Sequence, residues 1–160
     1  MEEIMKPIRI LFISIEGNTR SFIEDLTEYA KKQHQENAVN PLISTTEISD
    51  QTDFADETSN YFVFVPTYLD GGDGVDTGVK ELMTNTMGEY LAYHQNASYC
   101  LGVIGSGNKN FNLQYCLTAK RYSRQFQVPF ITDYELRGTN RDVIRIYTDL
   151  VERTKEVEHA

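Results

Sequence analysis

At 160 residues and 18.4 kDa the chain can hold one domain with its own core but not two of ordinary size. Its 40% hydrophobic and 24% charged residues are those of a globular protein, which excludes disorder throughout, and its longest apolar runs, such as Tyr61-Phe62-Val63-Phe64-Val65, are far short of the ~20 residues a bilayer span needs. Acids outnumber bases 24 to 15, so a net charge of −9 argues against nucleic acid as a partner.

Residues 8–13 are apolar and rich in β-branched side chains, which predicts a buried strand. The polar turn Ser14-Ile15-Glu16-Gly17-Asn18-Thr19 follows. Phe22, Ile23, Leu26, Tyr29 and Ala30 then recur at helical spacing. Residues 39–45 form a weaker strand candidate. Residues 47–60 carry five acids and no base and read as a solvated connection that could alternatively guide docking. A second strong strand at 61–65 runs into Pro66-Thr67-Tyr68 and a long Gly/Asp stretch to Gly78. A helix is expected over 77–87, with Gly88 interrupting it. A third strong strand at 99–105 leads into Gly105-Ser106-Gly107-Asn108-Lys109-Asn110-Phe111. A helix over 112–127, a last strand at 128–131 and a final helix from about Thr139 complete the chain. Thr139-Asn140-Arg141-Asp142 fits a capping box, and Val143, Tyr147, Leu150, Val151 and Thr154 form that helix's inner face.

Strands alternate with helices, and the strong strands are continuous apolar runs, as strands buried on both faces must be. The expected fold is an α/β three-layer α/β/α sandwich on a five-stranded parallel sheet, one domain over residues 1–160, with right-handed crossovers. Ligands of such sheets bind beyond the carboxyl ends of the strands at the topological switch point. The segments 14–19, 66–78 and 105–111 leave those ends and hold seven of the ten glycines, which points to a site that touches its ligand with main chain.

In 14–19, two hydroxyls, an amide and a glycine precede a helix whose N-terminus is electropositive. A phosphate monoester would fit there without a lysine, as would an ordinary N-cap. There is no G-K-[ST], so nucleoside triphosphate chemistry is disfavoured, and Asn110 stands where a dinucleotide fingerprint needs its third glycine. Tyr68 and Phe111 could sandwich a flat heterocycle or simply pack. Cys100 and Cys116 show no metal or C-x-x-C spacing, and Cys116 is expected on a helix as a buried structural thiol. His34, His94 and His159 are scattered. The acidic, broken N-terminal run does not fit a signal peptide. A cytoplasmic protein with reduced thiols is expected.

Together the three loops resemble a flavodoxin-type FMN site, with Ser14-x-x-Gly17-Asn18-Thr19 similar to its phosphate loop. More narrowly, the chain resembles the NrdI family, the flavodoxin-like partner of class Ib ribonucleotide reductase. The marks are Pro66-Thr67-Tyr68, the Gly105 to Phe111 stretch, and Val128-Pro129-Phe130 followed by Tyr134-Glu135-Leu136-Arg137-Gly138-Thr139. The resemblance runs from about Ile8 to Val151.

It implies one noncovalent FMN that cycles between oxidised and reduced forms. It implies docking on the dimanganese, radical-bearing small subunit of the reductase, and reaction of reduced flavin with dioxygen to give superoxide that serves assembly of the tyrosyl radical. An unidentified reductase would supply electrons. The flavin carries the chemistry, so no catalytic side chain and no metal ligand is assigned to this chain. The role is that of an accessory, oxygen-reducing activase. Carried over by position, Ser14, Ile15, Glu16, Gly17, Asn18 and Thr19 would hold the phosphate. Thr67, Tyr68, Leu69, Asp70, Gly71 and Gly72 would border the reactive edge of the ring. Gly105, Ser106, Gly107, Asn108, Asn110 and Phe111 would cover its pyrimidine side. Glu16 stands where flavodoxins usually have Thr and is expected to face solvent. Lys109 is expected to offset the field of Asp70, Asp73 and Asp76. The alternatives are a conventional flavodoxin shuttling single electrons, and a cofactor-free signalling module. The second is disfavoured because Ser14 and Pro66-Thr67 stand where a phosphoacceptor site needs acids.

Overall fold

The computed structural model describes residues 5–14, 17–49, 51–66, 86–107 and 116–158. Five parallel strands form one sheet: β1 (Ile8–Phe12), β2 (Ile43–Glu47), β3 (Tyr61–Pro66), β4 (Cys100–Gly107) and β5 (Phe130–Glu135), in the order β2-β1-β3-β4-β5. The helices are α1 (Asn18–Glu36), α2 (Thr86–Ala92), α3 (Leu117–Phe126) and α4 (Asn140–Glu158), with a 3-10 turn over Asn96–Tyr99. The chain leaves β1 toward β2 and returns across it to β3, so the strand order reverses between β1 and β3.

The period of two along the strands sorts the core into two layers. Ile8, Ile10 and Phe12 of β1 and Phe62 and Phe64 of β3 pack against Phe22, Ile23 and Leu26 of α1 and Val143, Ile146 and Leu150 of α4. Leu11, Ile13, Val63 and Val65 face the other way, onto Met87 and Leu91 of α2 and Ala119 and Tyr122 of α3. Each such side chain, fully buried, contributes about 1.5–3 kcal/mol. This is why β3 reads as an unbroken apolar run, and why β1 and β4 carry only one charged or hydroxyl side chain each, Arg9 and Ser106: both faces are covered.

Four expectations are corrected. The second strand occupies Ile43–Glu47 rather than 39–45, because the chain is still turning at Asn37–Asn40, where Asn40 N–H donates to the Asn37 carbonyl at 3.0 Å and Pro41 follows. Gly88 does not interrupt a helix; it lies buried inside α2. The start expected for that helix, 77–85, lies outside the described residues. Cys116 is the N-cap of α3, at φ 57°, rather than a helical residue. β5 also runs on to Glu135, beyond the expected end at 131.

The acidic connection is mostly exposed, as expected, but its end is pinned. Glu57 has a 9% exposed side chain that pairs with Arg9 at 2.8 Å and accepts the Tyr90 hydroxyl at 2.6 Å. Its N–H donates to Asn96 Oδ1 at 2.7 Å, and Asn96 Nδ2 in turn donates to the carbonyls of Ala55 and Tyr90. Burial, together with Glu57, pushes the Tyr90 phenol up to about 12. The capping box at α4 forms as read from the sequence. Asp142 N–H donates to Thr139 Oγ1 at 3.2 Å, and Thr139 N–H to Asp142 Oδ2 at 2.9 Å.

Candidate functional site

The rim at the carboxyl end of the sheet, beside the β1/β3 reversal, is built first by the turn into α1. Gly17 is the N-cap of α1 at φ 90°, a left-handed conformation that costs a side-chain-bearing residue about 1–2 kcal/mol. It has no side chain with which to cap the helix. Ser14 Oγ substitutes, accepting from Gly17 N–H at 3.1 Å and Arg20 N–H at 3.4 Å. Of the first four helical N–H groups, those of Asn18 and Thr19 are left without a partner among the described residues. Thr19 Oγ1 is buried, and it too has no hydrogen-bond partner there. Two N–H donors and one hydroxyl therefore stand open at a positive helix end, with the Ser14 hydroxyl hydrogen still able to donate. A buried hydroxyl left unmade costs about 1–3 kcal/mol, so the arrangement fits an oxyanion better than an ordinary cap.

Arg20, the cation in the first turn of α1, is not free to neutralise such an anion. Arg20 makes a two-pronged pair with Glu47 at the end of β2, Nε to Oε1 at 3.0 Å and Nη2 to Oε2 at 2.7 Å. The Glu47 hydrogen bond and charge raise the Arg20 pKa further.

A second element buttresses the turn. Between β5 and α4, residues 135–139 fold into a hook with Leu136 at φ 55° and Gly138 at φ 74°. Leu136 N–H donates to the Gly107 carbonyl at 2.9 Å, and Gly138 N–H to Glu135 at 2.9 Å. Arg137 Nε donates to Asn18 Oδ1 at 3.2 Å. Beneath, Tyr134 stacks on Phe22 of α1 with ring centroids 3.9 Å apart, and a Cβ on Gly138 would come within 2.5 Å of the Phe22 ring. The hook thus bonds both to the turn into α1 and to the end of β4.

At that end, Gly105 and Ser106 are buried and Gly107 is half-buried. A Cβ on Gly105 would lie 2.9 Å from both Ala119 and Cys116, so close packing of α3 on β4 accounts for that glycine. Ser106 lies between Pro66 of β3 and Tyr134 of β5 in the sheet register. The structure therefore gathers Ser14, Gly17, Asn18, Thr19, Gly105, Ser106 and Gly107 at one rim. Ile15, Glu16, Thr67, Tyr68, Leu69, Asp70, Gly71, Gly72, Asn108, Lys109, Asn110 and Phe111 lie outside the described residues, as do Asp73 and Asp76.

Sequence reasoning missed Arg137, Gly138 and the Phe22–Tyr134 stack as parts of the site. The Arg-Gly-Thr signal before a capping box marks a tight turn, but only the topology shows that it meets Asn18, 119 residues away. Cys100 and Cys116 are both buried, and burial pushes the Cys100 thiol up to about 12. Among the described residues no cluster of three His, Cys, Asp or Glu side chains could hold a metal, and no helix is long and apolar enough to cross a membrane.

Comparison with known proteins places these features in a family. The model of the family described as "NrdI Flavodoxin like" matches residues 10–148. An NrdI-like protein of Streptococcus pyogenes serotype M18 is 44% identical over 149 residues, covering 93% of this chain and 95% of that protein. One from Streptococcus pneumoniae strain R6 is 44% identical over 155 residues, 95% of this chain and 99% of its own. Protein NrdI of Wigglesworthia glossinidia brevipalpis is 33% identical over 139 residues, 87% and 84% of the two chains. Among solved structures, a short-chain flavodoxin associated with a non-canonical PDU bacterial microcompartment superposes with a TM-score of 0.66 at 18% identity, over 95% of this chain and 99% of that one. At that identity the likeness shows the fold.

Proposed function

The chain belongs to the NrdI flavodoxin-like family, and we propose that it is an FMN-binding redox protein that supplies superoxide for assembly of the dimanganese–tyrosyl radical cofactor of a class Ib ribonucleotide reductase small subunit. The observation that carries the cofactor reading is the donor set at the head of α1, Asn18 N–H, Thr19 N–H and the buried Thr19 Oγ1, which have no partner among the described residues. Arg20 is spent on Glu47, so the charge of that residue is not what a flavin phosphate would meet there; the helix N–H donors are. The chemistry that bound FMN supplies is transfer of a single electron to dioxygen, giving superoxide.

The chain's own residues bind and orient. Ser14 to Thr19 hold the phosphate, with Ser14 shaping the loop through its two accepted N–H groups. Arg137 holds Asn18 in place. Thr67 to Gly72 and Gly105 to Phe111 border the ring, largely through backbone groups. Leu136 N–H fixes the Gly107 carbonyl, from which the second of those loops departs. The metal ions and the radical tyrosine belong to the partner.

Reconstitution tests the whole reading. The protein is photoreduced without oxygen, mixed with manganese-loaded small subunit and exposed to dioxygen, and the tyrosyl radical is read by electron paramagnetic resonance. Radical should form only when reduced protein, manganese and dioxygen are all present. A protein that binds FMN and is photoreduced but forms neither superoxide nor radical would instead be a one-electron carrier.

A further inference from the structure

Arg20 stands in the first turn of α1, where the helix dipole disfavours a cation, and no acidic residue accompanies it in that turn. Its backbone N–H donates to Ser14 Oγ at 3.4 Å, so the residue belongs to the same turn as the donors of Asn18 and Thr19. Its guanidinium lies on Glu47 through two bonds, Nε to Oε1 at 3.0 Å and Nη2 to Oε2 at 2.7 Å. The sheet fixes the position of Glu47. It is the last residue of β2, in register with Phe12 of β1 and so beside the start of the turn. Ile48 N–H donates to the Phe12 carbonyl at 2.7 Å and holds the end of β2 there.

The pair contributes little to stability. Its side chains are 50% and 33% exposed, and exposed ion pairs are weak. Phe22, Ile23 and Leu26 already hold α1 in the core. What the two bonds do is fix direction: a planar guanidinium gripped at two nitrogens is aimed, not merely near its partner. Arginine is also the side chain best matched to phosphate oxygens. The Glu47 carboxylate and an anion at the head of α1 therefore compete for one group. The Thr19 hydroxyl, 1% exposed and with no partner among the described residues, marks the seat of that anion. Glu24 adds its charge to that of Glu47 on the guanidinium. Arg137 reaches the turn separately, from the hook, through Nε on Asn18.

We infer that Glu47 is a specificity-determining residue of the phosphate seat: it holds the Arg20 guanidinium on the end of β2 and so keeps that cation off the bound anion. The inference deepens the FMN reading given under Proposed function and rests on it. The affinity that Arg20 could add is withheld, and the hydroxyl and backbone donors of the turn carry the phosphate. The control acts on phosphate monoesters alone; a flavin without the phosphate does not feel it.

A double-mutant cycle in the full-length protein tests it. Glu47→Gln removes the carboxylate charge at nearly constant shape, and Arg20→Gln removes the guanidinium while keeping the backbone N–H on Ser14. FMN, and riboflavin as the analogue without a phosphate, are titrated into the flavin-free wild type, both single variants and the double variant, at low and high salt. Glu47→Gln should tighten FMN binding at least about fivefold at low salt, with most of the gain lost at high salt. In the Arg20→Gln background the same change should gain no more than about twofold. Riboflavin affinity should stay the same throughout. FMN affinity that is unchanged or weakened in Glu47→Gln would overturn the inference and leave the pair as a staple between α1 and β2. An equal gain in the Arg20→Gln background, or an equal gain for riboflavin, would overturn it too. Each of these results leaves the cofactor reading standing. A wild type that binds no FMN overturns that reading, and this inference with it.

Discussion

Thr19 is the residue at which stability and binding pull apart. Its hydroxyl is buried without a partner among the described residues, so Thr19→Val should leave the FMN-free protein as stable as the wild type or more stable by up to about 1 kcal/mol. The same change should weaken FMN binding by about tenfold, because one donor to the phosphate is gone. Thermal melts of the FMN-free forms and flavin titrations of both would show whether the two effects part in this way; a destabilised valine variant with full affinity would mean that the hydroxyl serves the fold. Cys100 gives a second test. Burial raises its thiol to about 12, so little thiolate exists near neutrality and native protein should resist thiol reagents at pH 8, whereas denaturant should expose both cysteines. Rapid labelling of folded protein would contradict the buried, structural role of these thiols.

At the scale of elements, the hook between β5 and α4 is the part most sensitive to substitution. Gly138→Ala places a methyl group 2.5 Å from the Phe22 ring at φ 74° and should cost about 2–4 kcal/mol, read by denaturant unfolding. Arg137→Ala should loosen Asn18 and weaken FMN binding several-fold with little change in stability; Arg137→Lys, which lacks the planar fork, should restore it only in part. The cap of α4 carries a pH dependence. Burial opposes ionisation of Asp142, but hydrogen bonds from Arg145 and Thr139 outweigh it and hold the carboxyl below its ordinary 3.8. Its contribution is therefore complete above that value and disappears as the pH falls through the lowered one. Asp142→Asn should lose about 1 kcal/mol at neutral pH, with the difference closing in acid.

These elements also show what a sequence discloses. β1, β3 and β4 were legible because strands covered on both faces are apolar at most positions, and the cap of α4 because its signal is local. β2 was misplaced because only Ile43 of its five residues is buried, leaving little pattern to read. Gly88 misled because local propensity yields to packing inside α2. The donor set at Ser14 to Thr19 was visible as residue types. Its completion by Arg137 was not, since that contact depends on how β5 and α4 lie beside α1.

For the whole molecule, one topological fact organises the rest. The sheet reverses between β1 and β3, and the turn leaving β1 presents two N–H groups and a buried hydroxyl that have no partner among the described residues. The central claim is that this rim holds FMN. Titration of the flavin-free protein with FMN, followed by flavin fluorescence, tests it most directly. The account predicts saturation at one FMN per chain with a dissociation constant of roughly a micromolar or tighter, and colour that survives desalting. Fluorescence indistinguishable from free flavin across that range would contradict it.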